Sequence, residues 1–151
     1  MDIQLIPLDA SQQRMVPTQD LGFCVHFANR MFTQRYSRGR GWHDAKIEPY
    51  APLQLSPATS VLHYAQLIFE GLKAYRRPDG HINLFRPMEN MRRFNNSARR
   101  MAMAMVDEEE HLEAICRLIE AEQEWVPSTP DATLYIRPTL IATDDALGVH
   151  A

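Results

Sequence analysis

The apolar positions of the chain change their spacing partway along it. From Leu72 to Leu84 apolar and polar residues alternate. Leu72 and Ala74 fall on one face, Lys73 and Tyr75 on the other, and Ile82 and Leu84 repeat the pattern beyond RPDG. A period of two is that of a strand. In RPDG, Pro78 fixes φ at the first corner, Asp79 bonds back to its own backbone and Gly80 takes the left-handed position. Residues 70–86 therefore predict a β-hairpin. After Pro87, a residue suited to a first helical turn, the spacing becomes three and four. Met88, Met91, Phe94, Ala98, Met101, Ala102 and Met105 form one apolar stripe, which predicts a helix. A second helix is expected to start at Asp107, a good N-cap, with Glu108, Glu109 and Glu110 at the positive end of its dipole. Leu112, Ile115, Cys116, Ile119 and Val126 would be its buried face, and PSTPD would stop it.

The rest of the chain is read around these elements. Residues 1–20 are polar, contain Pro7 and Pro17, and predict a loose arm. Residues 21–146 form the domain proper. Residues 23–36 predict a strand or two with a bend, SRGRGW a glycine turn, and the prolines of residues 45–60 exclude a long helix there. ATLYIRPTLIAT predicts one buried strand, and DDALGVHA the loop after it. The order of strands, hairpin, two helices and strand predicts the α+β class, with a mainly antiparallel sheet covered by two helices. A domain that finishes on LGVHA without a closing element reads as cut.

Composition narrows the function. A chain of 151 residues can bury one core, and 45% hydrophobic with 23% charged residues is the balance of a soluble globular protein. A net charge of −3 implies no general attraction to nucleic acid, and no apolar run reaches membrane-spanning length. The N-terminus carries no secretory pattern, and Cys24 and Cys116 are isolated, which suits free thiols in a reducing cytoplasm. Of the 16 basic residues only Lys46 and Lys73 are lysines.

Three stretches could carry chemistry. The first predicted helix and the residue before it hold Arg86, Arg92, Arg93, Arg99 and Arg100. A helix start favours anions through its free N–H groups, and arginine forks add bidentate bonds to a phosphate. On pattern alone the same arginines are more simply read as solvated or paired with Glu89 and the acidic second helix. In LYIRP, Tyr135 and Arg137 share a strand face, a pair fit to take a carboxylate. The partner of a buried Arg137 could be a protein group or a substrate. SVLHYAQLIFEG places His63, Tyr64 and Phe69 ahead of the hairpin. His63 has no neighbour at metal-ligand spacing, so no metal site is expected. Glycine-rich phosphate loops, metalloprotease helices and serine-nucleophile turns are all absent.

Taken in series, LSPATSVLHYAQLIFEGLKAY, INLFRPMENMRRF, SAR, EWVP, LYIRPTLIAT and LGV closely resemble the N-terminal small domain of branched-chain amino acid aminotransferases, fold-type IV enzymes that use pyridoxal 5′-phosphate (PLP). The resemblance covers roughly residues 22–150. It implies transfer of an amino group between L-leucine, L-isoleucine or L-valine and 2-oxoglutarate, with glutamate and other 2-oxo acids as partners, in a cytoplasmic homodimer. Arg93 matches the arginine that holds the PLP phosphate. Tyr135 and Arg137 match the pair that takes the side-chain carboxylate of glutamate. Phe23, Tyr64 and Phe69 match residues lining the pocket for branched side chains, whose burial is worth ~1.5–3 kcal/mol. Leu147 and Val149 match the interdomain loop, residues 147–151 being its start, which in the family closes the active site of the neighbouring subunit, and Tyr64 is also contributed across the dimer. The resemblance places the Schiff-base lysine beyond Ala151, in a large catalytic domain, and neither Lys46 nor Lys73 matches it. Residues 1–151 alone are thus expected to be inactive and to bind PLP at best weakly. D-amino acid aminotransferases and aminodeoxychorismate lyases share the hairpin and the arginine helix, and a non-catalytic binding or dimerisation module would share the fold.

Overall fold

The computed structural model describes residues 1–148. The strands are β1 (Gln4–Leu5), β2 (Arg30–Ser37), β3 (Gly41–Pro49), β4 (Leu67–Phe69), β5 (Leu72–Arg76), β6 (Ile82–Leu84), β7 (Leu134–Ile136) and β8 (Thr139–Ile141). The helices are α1 (Ser60–Tyr64), α2 (Pro87–Arg100) and α3 (Glu108–Ala121). The class is α+β. The strands form three small sheets with the orders β1-β3-β2, β4-β8 and β6-β5-β7, and every pairing but β1 with β3 is antiparallel.

The hairpin forms where alternation predicts it. Ala74 faces Leu84 and Arg76 faces Ile82 across β5 and β6. Gly80 has φ +87°, and Asp79 Oδ1 accepts from the His81 N–H at 3.2 Å. Leu72 and Ala74 are buried and Lys73 and Tyr75 exposed. Arg76 fastens the hairpin to the end of α3 by donating from Nε to the Val126 carbonyl at 3.0 Å and from Nη2 to that of Gln123. Met91, Ile115, Ile119 and Val126 complete the core beneath it. Val126 lies past the end of α3, beyond a 3-10 turn at Gln123–Trp125, yet it is 1% exposed. Asp107 caps α3 as expected, accepting from the N–H groups of Glu109 and Glu110.

Four expectations are corrected. The apolar stripe of α2 does not run to Met105: the helix ends at Arg100, and Ala102 adopts a left-handed φ of +54°. The end is set by the Met103 N–H folding back to the Ala98 carbonyl at 2.9 Å. It is also set by Asn95, whose buried side chain exchanges two 2.9 Å bonds with the Val106 backbone. Residues 132–143 are not one strand, for β7 pairs with β5 and β8 with β4. The break falls at Arg137 and Pro138, where proline has no N–H for a ladder and restricts the residue before it. The strands are also only half-buried. The first 20 residues are not loose throughout: β1 pairs with β3, the Met1 amine meets Glu110 at 2.9 Å, and Arg14 donates to the carbonyls of Phe27 and Ala28. Finally, α1 is a five-residue helix in a stretch read only as a connection.

Candidate functional site

The junction between β4 and β5, Glu70–Gly71, brings α2, β7 and β8 together. The Glu70 N–H donates to the Pro138 carbonyl at 2.9 Å. Its carboxylate receives Arg93 as a two-point fork, with Nε at 3.0 Å and Nη2 at 2.8 Å. The Gly71 N–H adds a bond of 2.8 Å, and Asn90 Nδ2 lies 3.4 Å away while donating to the Gly71 carbonyl at 3.0 Å. Burial pushes the Glu70 carboxyl up, but the Arg93 fork, the Gly71 N–H and Asn90 together outweigh it and hold it below its ordinary value. The same pair raises Arg93. Arg93 Nη1 makes no hydrogen bond among the described residues. The neighbouring arginines are otherwise engaged: Arg92 pairs with Glu89 on its own helix, and Arg99 donates to Asn96.

On the other side of Gly71 lies the pair from LYIRP. Arg137 Nη2 donates to the Tyr135 hydroxyl at 2.9 Å. Its guanidinium carbon sits 4.3 Å from the centroid of the Phe69 ring and 5.2 Å from that of Tyr135, both within cation–π range. Arg137 is exposed and has no carboxylate partner among the described residues, so the buried protein ion pair considered from the sequence does not form. A Cβ placed on Gly71 would lie 2.2 Å from the Tyr135 hydroxyl oxygen, so glycine gives the phenol its room. Lys73 stands opposite Tyr135 in the β5–β7 register, which puts a second cation on the same sheet face.

Tyr64 belongs to a neighbouring cluster. It ends α1 and donates its hydroxyl to the Leu147 carbonyl. The segment before Leu147 is bound to α1 as well: the Asp144 carbonyl accepts from the Ser60 N–H and hydroxyl, each at 3.0 Å, and Asp145 Oδ1 accepts from Ser56 at 2.7 Å. β4 continues from α1 and pairs with β8, so Phe69 lies on the strand that follows this cluster. Phe23 is 83% exposed in a turn, so its ring forms no wall with the others. Val149 lies outside the described residues.

The structure thus brings Phe69, Tyr135 and Arg137 together, joins Tyr64 to Leu147, and leaves Phe23 apart. Glu70, Gly71, Asn90 and Lys73 are additions to the site that periodicity could not supply. The FEG of the motif contained the signal for two of them, a carboxylate and a glycine ahead of a strand.

Phe69, Arg93 and Arg137 are each exposed. A concavity of about 290 Å³ lies elsewhere, lined by Leu8, Gln13, Arg30 and the end of α3, and includes none of them. It is polar, and its Glu122 is already bound by Arg30 at 2.7 Å and the Asn29 N–H at 2.9 Å. No cluster of three or more metal-binding side chains occurs among the described residues, and no described helix is long and apolar enough to cross a membrane.

Scanned against models of known protein families, the chain matches none. Individual proteins do match. It is 53% identical over 131 residues to branched-chain-amino-acid transaminase 1 of Bacillus subtilis (strain 168), covering 87% of this chain and 37% of that protein. It is 48% identical over 145 residues to a probable branched-chain-amino-acid aminotransferase of Streptomyces coelicolor, covering 95% of this chain and 40% of that one. Among solved structures, a T.th. branched-chain amino acid aminotransferase complexed with N-(5′-phosphopyridoxyl)-L-glutamate superposes with a TM-score of 0.56 at 30% identity, covering 68% of this chain and 32% of that one. The chain spans about 37% of the length of the first curated relatives it matches. With identity near one half carried along most of its residues, the chain is similar to one part of branched-chain amino acid aminotransferases, and its structural neighbours are fold-type IV enzymes of that kind.

Proposed function

We propose that this chain is the small domain of a PLP-dependent aminotransferase acting on L-leucine, L-isoleucine or L-valine with 2-oxoglutarate. The observation that carries the reading is Arg137: an exposed guanidinium held over Phe69 and against the Tyr135 hydroxyl, with no carboxylate of its own among the described residues. Such a group is available to the side-chain carboxylate of glutamate or 2-oxoglutarate. The rings of Phe69 and Tyr135, with Tyr64 contributed across the dimer, offer apolar surface to a branched side chain when no second carboxylate is present. Phe23 is proposed to line the same pocket, and Leu147 and Val149 to belong to the interdomain loop that covers the pocket of the neighbouring subunit.

Arg93 fits a phosphate, because one edge of its guanidinium is tied to Glu70 while Nη1 is free and the side chain is 63% exposed. When bound, PLP supplies the electron sink for moving an amino group between an amino acid and a 2-oxo acid. Residues of this chain bind and orient. Arg93 takes the phosphate, Arg137 and Tyr135 select the dicarboxylate, and Gly71 keeps the phenol in place. Lys46 lies in β3, paired with Gln4 and Thr33, and Lys73 is exposed beside Tyr135; neither matches the Schiff-base lysine of the resemblance, which the proposal assigns to a large catalytic domain. A cytoplasmic homodimer is part of the proposal. The test is glutamate formation from L-leucine and 2-oxoglutarate by the protein carrying this chain, after loading with PLP. Turnover of D-alanine in place of L-leucine would overturn the reading.

A further inference from the structure

Glu70 has no task in the reading above, yet its carboxylate is the most heavily bonded acid beside Arg93. We propose that Glu70 is a positioning residue, holding the Nε–Nη2 edge of Arg93 so that the free end of the guanidinium faces a phosphate monoester. The inference rests on the reading of Arg93 as the phosphate-binding residue and adds the group that aims it.

The asymmetry of the pair assigns the roles. The Glu70 side chain is 11% exposed and that of Arg93 63%, so the carboxylate is the fixed partner. It is held from behind by the Gly71 N–H at 2.8 Å and by Asn90, which sits one helical turn before Arg93 and also grips the Gly71 carbonyl. β4, β5 and α2 therefore meet at one carboxylate. A lone exposed arginine samples many rotamers and must be ordered when a ligand arrives. Two bonds to one carboxylate fix the plane of the guanidinium as well as its place. A planar fork offers two bidentate edges. Glu70 takes the side edge and leaves Nη1 with the outer Nη2 proton. A phosphate must then approach end-on, from the side away from Glu70.

An opposing effect has to be weighed. A carboxylate near a phosphate repels it. The largely buried Glu70 is little screened by salt, so the repulsion is set against the Arg93 charge that lies between it and the phosphate. The Glu70 charge is also already compensated by Arg93 and by two further donors. Orientation should therefore win, with a modest net effect.

The experiment uses the protein carrying this chain, stripped of cofactor, and two probes. Pyridoxine 5′-phosphate has the ring and phosphate without a reactive aldehyde, and pyridoxine lacks the phosphate. Glu70→Gln keeps an oxygen for the Gly71 N–H and Asn90 but loses the charged fork, and Glu70→Ala loses both. Both variants should bind pyridoxine 5′-phosphate about 3- to 10-fold more weakly, the cost of ordering one long side chain. Arg93→Ala should lose more, and binding of pyridoxine should be unchanged throughout. Unchanged or tighter binding in Glu70→Gln, with Arg93→Ala still weakened, overturns the positioning role and leaves the phosphate reading standing. Weakening confined to Glu70→Ala, or shared by pyridoxine, makes Glu70 a structural support and equally overturns it. No loss in Arg93→Ala, or no binding by the parent protein, overturns both.

Discussion

The hydroxyl of Tyr135 occupies the space that a side chain at Gly71 would need: a Cβ there would lie 2.2 Å from the oxygen and 2.9 Å from the ring carbon bearing it. Gly71 has no positive φ, so backbone strain is not the reason for glycine. Gly71→Ala should therefore displace the phenol, stretch its 2.9 Å bond to Arg137 and destabilise the chain by about 1–3 kcal/mol, as overpacking does. Adding Tyr135→Phe removes the nearest atom and should restore part of the loss. Denaturant titration of the single and double variants measures both effects. A Gly71→Ala chain as stable as the parent would show that Tyr135 is free to swing away.

Arg137 should separate substrates by charge. In the protein carrying this chain, Arg137→Met should raise KM for 2-oxoglutarate far more than for 2-oxoisocaproate. The loss should be about 2 kcal/mol for the dicarboxylate alone, since Arg137 is exposed and its pair is screened before substrate covers it. Steady-state kinetics on both oxo acids gives the comparison, and equal effects would mean that the arginine only stacks on Phe69.

The turn between α2 and α3 should depend on one amide. Asn95 both donates to and accepts from the Val106 backbone. Asn95→Ala leaves a buried N–H and C=O unpaired and should cost roughly 2–4 kcal/mol. Asn96→Ala, which loses only an exposed bond from Arg99, should change stability by less than about 0.5 kcal/mol. Thermal melts of the two variants should differ accordingly; similar melting points would remove Asn95 from the role.

What could be read from the sequence was local. Alternation and RPDG specify the hairpin because strand period and turn chemistry involve near neighbours. The i, i+2 rule put Tyr135 beside Arg137 for the same reason. The stripe of α2 overran its helix because Met101 and Met105 keep the period while Ala102 leaves the helical region, an event decided by Asn95 reaching Val106. The division of residues 132–143 between two sheets, and Lys73 opposite Tyr135, depend on register between distant strands. The Glu70–Arg93 fork joins residues 23 apart in the chain, which no periodicity reports. The family resemblance supplied Arg93, Tyr135 and Arg137 as candidates, and the geometry adds the groups that support them.

His111 should make the fold sensitive to mild acid. Its ring stacks on Phe94 with centroids 5.5 Å apart and meets Phe32 edge-on at 6.1 Å, and Nδ1 is buried without a hydrogen-bond partner. The Met1 amine, Asp107 and Glu110 are the ionisable groups that share its small concavity. Burial holds the imidazole below its ordinary value of 6.5. Well above 6.5 the ring is neutral whether the chain is folded or not, so it costs nothing. As the pH falls from 6.5 through the lowered folded value, the unfolded chain binds a proton that the folded one resists, and stability is lost. Glu70 acts in a separate window: its contribution is fully present above 4.5 and is lost as the pH falls through its depressed folded value. His111→Phe should therefore flatten the loss between pH 6.5 and 5 and leave the more acidic loss in place. Denaturant titrations of parent and variant across that range test it, the other histidines being common to both. Equal slopes above pH 5 would mean that His111 accepts its proton in the folded chain without penalty.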